Sequence, residues 1–321
     1  MSLINQEITP TYALYNGDCV EVMRDIPGAS IDFSVFSPPF ADLYCYSDSP
    51  NDLGNAKDYR EFFTHFGFVV AELARVLKPG RNVSVHCMDI PAMKERDGYI
   101  GIKDFSGDLV RAFEREGFIY HSRHIIWKDP LIEATRTKAL GLMHKQLQKD
   151  SIMSRAGLPD YLLTFRNKGA NSVAISHPDG LTRYCGKHDP TKGETGIKRS
   201  HNIWRAYASP VWTDIRQTHT LNHKNARDGD DEKHICPLQL DVIERACVLW
   251  SNPGEVVLTP FMGVGSEVFG AVINGRRGIG IELKPAYYSQ AVRNLAEASN
   301  HKNQTDFAFD HDDQISNTMG A

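Results

Sequence analysis

The 321-residue sequence has no run of about 18 consecutive apolar residues, the length that a membrane-crossing helix requires. Its opening residues, MSLINQEITPTYALYNGD, hold no basic segment followed by an apolar one, so neither secretion nor membrane insertion is expected. Paired cysteines are missing too. Cys19, Cys45, Cys87, Cys185, Cys236 and Cys247 are scattered without a C-x-x-C, which argues for reduced thiols in a cytoplasm. Net charge is scarce: 36 Lys+Arg against 40 Asp+Glu leave −4, a balance that by itself speaks against a nucleic-acid partner. What the chain does have is 41% apolar and 24% charged residues, the composition of an ordinary globular protein, at a length beyond one average domain.

The small net charge conceals an asymmetry. His121 to Arg205 carries 15 Lys+Arg against 7 Asp+Glu, a balance of +8, whereas the remainder carries 21 against 33, or −12. Phosphate neutralisation needs a positive face rather than a positive protein, so this segment is a candidate nucleic-acid surface. A solvated, lysine-rich loop accounts for the charge equally well.

Strand-like and helix-like patterns alternate along the chain. Ile31, Phe33 and Val35 lead into Ser37-Pro38-Pro39-Phe40; FFTHFGFVVAELARVL then sets Phe62, Phe66, Val69, Leu73 and Leu77 on one helical face and stops at Pro79-Gly80. In RNVSVHCMD, Val83, Val85 and Cys87 alternate as in a strand. FSGDLVRAFEREG reads as a helix closed by Gly117, and GFIYHSRHIIWK as a strand. Strands separated by helices predict parallel pairing in an α/β fold, with helices on the sheet faces.

From about Asp129 to Lys233 the rhythm fades. This stretch has helical character at KALGLMHKQLQKDSIMSRAG, one apolar strand at DYLLTF, and polar stretches holding His177, His188, His201 and His219, which together predict a loop-rich insert. The rhythm returns with a helix opened by Pro237 through LQLDVIERACVLW, a strand at EVVLTPF, a glycine-rich turn, a helix and the strand RRGIGIEL. A last helix starts at Pro285 and turns Tyr288, Val292 and Leu295 inward. Beyond Ser299 the polar tail, with Asp306, Asp310, Asp312 and Asp313, reads as disordered. The expected units are 1–128, the insert 129–233, 234–298 and the tail 299–321.

Two stretches carry chemistry. In EVVLTPFMGVGSEVFGAVINGRRGIGIEL a strand ends at Phe261, Gly263 and Gly265 form the turn, a helix starts near Ser266, and a second strand ends at Glu282. Glycines let the backbone approach a nucleotide-type ligand, and an acid at the next strand end bonds ribose hydroxyls. The absence of a third glycine and the presence of Pro260-Phe261 argue against a dinucleotide enzyme. The other stretch is IDFSVFSPPF, an apolar strand that ends in two rigid residues and an aromatic.

Together, SPPF and TPFMGVGS resemble the amino-group DNA methyltransferases that use S-adenosylmethionine, in the arrangement with the catalytic motif first. The resemblance spans roughly residues 14 to 165 and 233 to 297. It implies a doubly wound, mostly parallel sheet with one antiparallel hairpin strand, for which GFIYHSRHIIWK is the candidate. Ser37, Pro38, Pro39 and Phe40 match the catalytic tetrapeptide, Asp18 a position on the adenine side of the cofactor, and Glu282 the ribose acid. His234 and Pro237 resemble the segment over the methionine part. Phe261, Gly263 and Gly265, flanked by Thr259, Pro260 and Ser266, would line the cofactor turn. The implied partner is double-stranded DNA, read by the basic middle, with side chains from Arg136 to Arg205 as candidates for base and phosphate contacts. A companion restriction nuclease is compatible with this, and the oligomeric state and recognition sequence stay open.

An exocyclic amino group is a poor nucleophile because its lone pair is delocalised into the ring. Acceptors for both amino protons, here the Ser37 side chain and the Pro38 carbonyl held in direction by two prolines, turn the nitrogen toward tetrahedral geometry. Phe40 offers a face for a flipped base, and Tyr44 and Tyr46 follow on a loop at the mouth of the site. Ring methylation by cysteine does not fit, since Cys236-Pro237 is in reverse order. The Cys185-x-x-His188 pair assigns no metal.

Thr259 stands where the family most often has Asp, which puts the grip on the cofactor in question. A catalytically silent DNA-binding protein is therefore an alternative. The serine-led tetrapeptide leans toward cytosine N4 as the target, with adenine N6 as the alternative.

Overall fold

The computed structural model describes residues 3–39, 59–137, 141–152, 154–222 and 237–296. Strand β1 (Asn5–Ile8) folds back on β2 (Tyr12–Asn16), followed by α1 (Cys19–Asp25), β3 (Phe33–Phe36), α2 (Tyr59–Val76) and β4 (Asn82–Cys87). A small ribbon of β5 (Ile90–Ala92) and β6 (Gly101–Lys103) encloses α3 (Lys94–Asp97). Then come α4 (Phe105–Arg115), β7 (Ile119–Ile126), α5 (Pro130–Thr137), α6 (His144–Leu147), β8 (Asp160–Arg166), α7 (Gly196–Tyr207) and β9 (Val211–Trp212). The chain continues through α8 (Leu240–Trp250), β10 (Val256–Thr259), α9 (Ser266–Ile273) and β11 (Arg277–Glu282) to a helix α10 over residues 285–296.

One nine-stranded sheet runs in the order β1-β2-β11-β10-β3-β4-β8-β7-β9. From β2 to β4 every neighbour pairs in parallel. The FSVF of β3 and the NVSVHC of β4 are buried along their whole length, as strands covered on both faces must be. On one face α2 turns Phe62, Phe66, Val69, Val70, Leu73 and Val76 inward at helical spacing, and they share a core with Val83, Val85 and Phe165. On the other face α8 brings Val242, Ile243 and Ala246 against Phe33, Val35 and Val257.

Two expectations change. Apart from the edge strand β1, the reversed strand is β8, the DYLLTF segment, antiparallel to both β4 and β7; β7, which contains most of GFIYHSRHIIWK, runs with the parallel set. Strand β7 follows α4, and such a helical crossover returns the chain in the same direction, whereas β8 fills the gap left between β7 and β4. For the same reason 129–233 is not wholly an insert, since it supplies β8 and β9 to the sheet. The helix expected from Pro237 begins at Leu240 with Gln239 as its N-cap.

The rest of the middle is tied to the sheet by a buried cation. The Arg245 guanidinium, fully buried on α8, pairs with Asp214 and lies 4.8 Å from the Tyr207 ring centroid and 5.1 Å from that of Trp212. No helix of the described residues is long and apolar enough to cross a membrane.

Candidate active site

Because β2, β11, β10, β3, β4, β7 and β9 run in one direction, their C-terminal ends share one edge, and the reversed β8 begins there. In doubly wound sheets this is the edge where ligands bind. Asp18, Glu282, Thr259, Ser37, His86 and Asp160 all fall on it, although they are spread over 265 residues of sequence. Strands β10 and β3 are adjacent, with Leu258 opposite Ser34, so the TPF and SPP segments leave the sheet side by side. The Phe36 and Phe261 ring centroids are 5.6 Å apart.

Ser37 is half-buried, and its Oγ lies 2.9 Å from His86 Nδ1. His86 Nε2 lies 3.2 Å from Asp160 Oδ2, close but off the hydrogen-bond line, and Lys128 Nζ closes on Asp160 Oδ1. Burial works to raise the Asp160 pKa, but the Lys128 ammonium and the His86 ring outweigh it and hold the carboxyl down to about 2. A carboxylate facing Nε2 favours the proton there, which leaves the Nδ1 lone pair to accept the Ser37 hydroxyl. Ser37 Oγ is then an acceptor toward any other partner. Pro38 is buried and Pro39 half-buried beside it, while Phe40, Tyr44 and Tyr46 lie outside the described residues.

At the glycine turn, Gly263 has φ +54° and no described residue lies within 4 Å of where its Cβ would be, so its Cα faces space open among the described residues. Its N–H donates to Glu282 Oε2 at 2.8 Å, and Lys284 N–H donates to Oε1 at 2.8 Å. Gly265, the N-cap of α9 at φ +92°, faces the opposite way: a Cβ there would stand 2.8 Å from Leu295 and 3.1 Å from Ala291. Its glycine character serves the packing of α10 rather than ligand approach. Thr259 and Ser266 are buried, and neither hydroxyl has a hydrogen-bond partner among the described residues. Pro260 is buried and Phe261 half-buried. Asp18 caps α1, accepting from Glu21 N–H at 2.9 Å. Pro237 is half-buried three residues before α8, and His234 lies outside the described residues.

The family model N6_N4_Mtase, described as DNA methylase, matches residues 31–293. The chain belongs to this DNA methylase family. The Type II methyltransferase M.BamHI of Bacillus amyloliquefaciens is 25% identical over 87% of this chain, which spans only 57% of that relative's length. The DNA adenine methyltransferase YhdJ of Escherichia coli (strain K12) is 23% identical over 90% of this chain and 84% of its own. Among solved structures, the cytosine-N4-specific PvuII DNA methyltransferase superposes with a TM-score of 0.61 at 16% identity, covering 94% of this chain and 96% of its own. A Thermus thermophilus protein complexed with S-adenosyl-L-methionine superposes with a TM-score of 0.59 at 22% identity, covering 90% of this chain and 95% of its own. The shared fold is that of the S-adenosylmethionine-dependent methyltransferases.

S-adenosylmethionine is the cofactor of this DNA methylase family, and the residues present fit it. The open face of Gly263, the strand-end acid Glu282 and the two unpartnered hydroxyls stand together at one turn. His86, Asp160 and Lys128 escaped the sequence reading. Their only signal was position: His86 near the end of one strand pattern, Asp160 at the start of another, Lys128 just after a third.

Proposed function

We propose that this chain transfers a methyl group from S-adenosylmethionine to the exocyclic amino group of a base flipped out of duplex DNA, with cytosine N4 favoured over adenine N6. The observation that carries the reading is the Ser37–His86 contact, which commits the serine hydroxyl proton and leaves Oγ to accept from a donor. An amino group is such a donor. Its second proton meets the Pro38 carbonyl, and the nitrogen lone pair is released toward the methyl group.

The cofactor supplies a methyl carbon on a sulfonium, which is displaced directly. Glu282 would bond the ribose, the Gly263 turn would admit the chain of the cofactor, and the segment at Pro237 would cover its methionine part. As the nitrogen bonds carbon it becomes acidic. Its proton passes to Ser37 Oγ while the Ser37 proton passes to His86 Nδ1, and Asp160 stabilises the resulting imidazolium. Phe40 would stack the base, and the basic middle would contact phosphates. The preference for cytosine rests on the serine that leads the tetrapeptide. A companion restriction nuclease fits a Type II relative such as M.BamHI.

The test is incubation with duplex DNA and S-adenosylmethionine, then digestion and mass spectrometry of the nucleosides. N4-methyl-2′-deoxycytidine, abolished by Ser37→Ala, is the expected result. N6-methyl-2′-deoxyadenosine would keep the mechanism and overturn the base. No methylated nucleoside, with cofactor binding absent as well, would favour the silent DNA-binding protein.

A further inference from the structure

Thr259 puts a neutral hydroxyl where the resemblance expects an acid, yet the same turn holds an acid two residues after Gly265. Glu267 is the second residue of α9 and is 4% exposed. No Lys, Arg or His among the described residues forms an ion pair with it. Burial, opposed by a bond from its own backbone N–H and reinforced by the Glu282 carboxylate, pushes its pKa up to about 8. A buried carboxyl in such surroundings gains most from a cation brought in from outside.

The helix packing says where that cation would sit. Helix α8 leads into β10 and α9 leaves it, so both N-termini lie at the ligand edge of the sheet. The two helices touch at Gly270, where a Cβ would collide with the Ile243 side chain. One turn back toward the two N-termini stand Glu267 and Gln239. Gln239 is 7% exposed, and its Oε1 accepts no hydrogen bond among the described residues; Thr259 Oγ1 and Ser266 Oγ are likewise buried and unpartnered. An acid and three polar oxygens with no hydrogen-bond partner among the described residues thus belong to the ends of β10, α8 and α9 that lie at the same edge of the sheet, by the glycine turn and the Pro237 segment. An ammonium offers three protons and a positive charge, which matches this set.

We propose that Glu267 is the residue that anchors the α-ammonium of S-adenosylmethionine, in place of the acid absent at Thr259, with Gln239, Thr259 and Ser266 completing the hydrogen bonds. This rests on the glycine turn being the cofactor site. The test is calorimetric titration of wild type and Glu267→Gln with two ligands, S-adenosylhomocysteine and 5′-methylthioadenosine, which lacks the amino-acid part. In the variant, affinity for S-adenosylhomocysteine should fall about ten- to hundredfold, the scale of one charged hydrogen bond. Affinity for 5′-methylthioadenosine should stay within about threefold, a difference too small to signal a lost charged contact. The apo variant should melt no lower than wild type, because an isosteric amide replaces a buried carboxyl that has no ion partner among the described residues and that burial already keeps largely protonated. Equal losses for both ligands, no loss for either, or an unfolded variant would each overturn the assignment. Failure of wild type to bind either ligand would instead overturn the cofactor site itself.

Discussion

A serine hydroxyl can donate or accept, and at Ser37 the neighbours decide. His86 Nδ1 stands 2.9 Å from its oxygen, and the Asp160 carboxylate facing Nε2 favours Nδ1 as the acceptor. Replacing His86 with Gln should lower the single-turnover methylation rate roughly ten- to a hundredfold, within the range of proton-transfer and orientation effects, and leave S-adenosylhomocysteine affinity unchanged by calorimetry. A parallel loss of cofactor affinity would mean that His86 supports the pocket as a whole. The tetrapeptide itself was legible, because SPPF after an apolar strand is a local pattern. The partners of Ser37 were not, since His86 and Asp160 lie 49 and 123 residues away in sequence and only strand pairing brings them together.

The elements were legible where periodicity is local and strong. The apolar face predicted from Phe62 onward is that of α2, and the glycine turn between EVVLTPF and RRGIGIEL joins β10, α9 and β11 as its punctuation implied. Strand direction was not legible: DYLLTF has the same apolar run whichever way its neighbours point, and hydrogen bonding to β4 and β7 decides. The two turn glycines also divide their work only in three dimensions. Gly263 has no described residue against it, whereas Gly265 combines φ +92° with close contact to Leu295 and Ala291. Gly265→Ala should cost about 1–3 kcal/mol, because a Cβ is strained at that φ and collides with α10. Thermal unfolding would register it, and an unchanged melting temperature would show that α10 yields at no cost.

At the scale of the whole molecule, the edge strands beyond β8 close against α8 through His124, Trp212 and Arg245. Burial, with repulsion from Arg245 and then His121, pushes the His124 pKa down to about 4, while its ring stacks on Trp212 at 4.4 Å. Unfolding returns it to about 6.5, so between these values the unfolded chain binds a proton that the folded chain refuses, and stability falls as pH falls. This group should account for about 2 kcal/mol of lost stability between pH 7 and pH 5. Urea unfolding should show a flatter dependence in His124→Gln; an identical slope in both proteins would rule the residue out as the source. By itself the sequence determined the strands and helices around the two motifs and the class of chemistry, because these reside in local patterns and in residue types at short spacing, whereas α7 lies in a stretch that reads as loop. Tertiary structure decided the direction of β8, which residues stand against Ser37 and how the two turn glycines differ, because those depend on groups that only the packing of the sheet and its helices brings within reach.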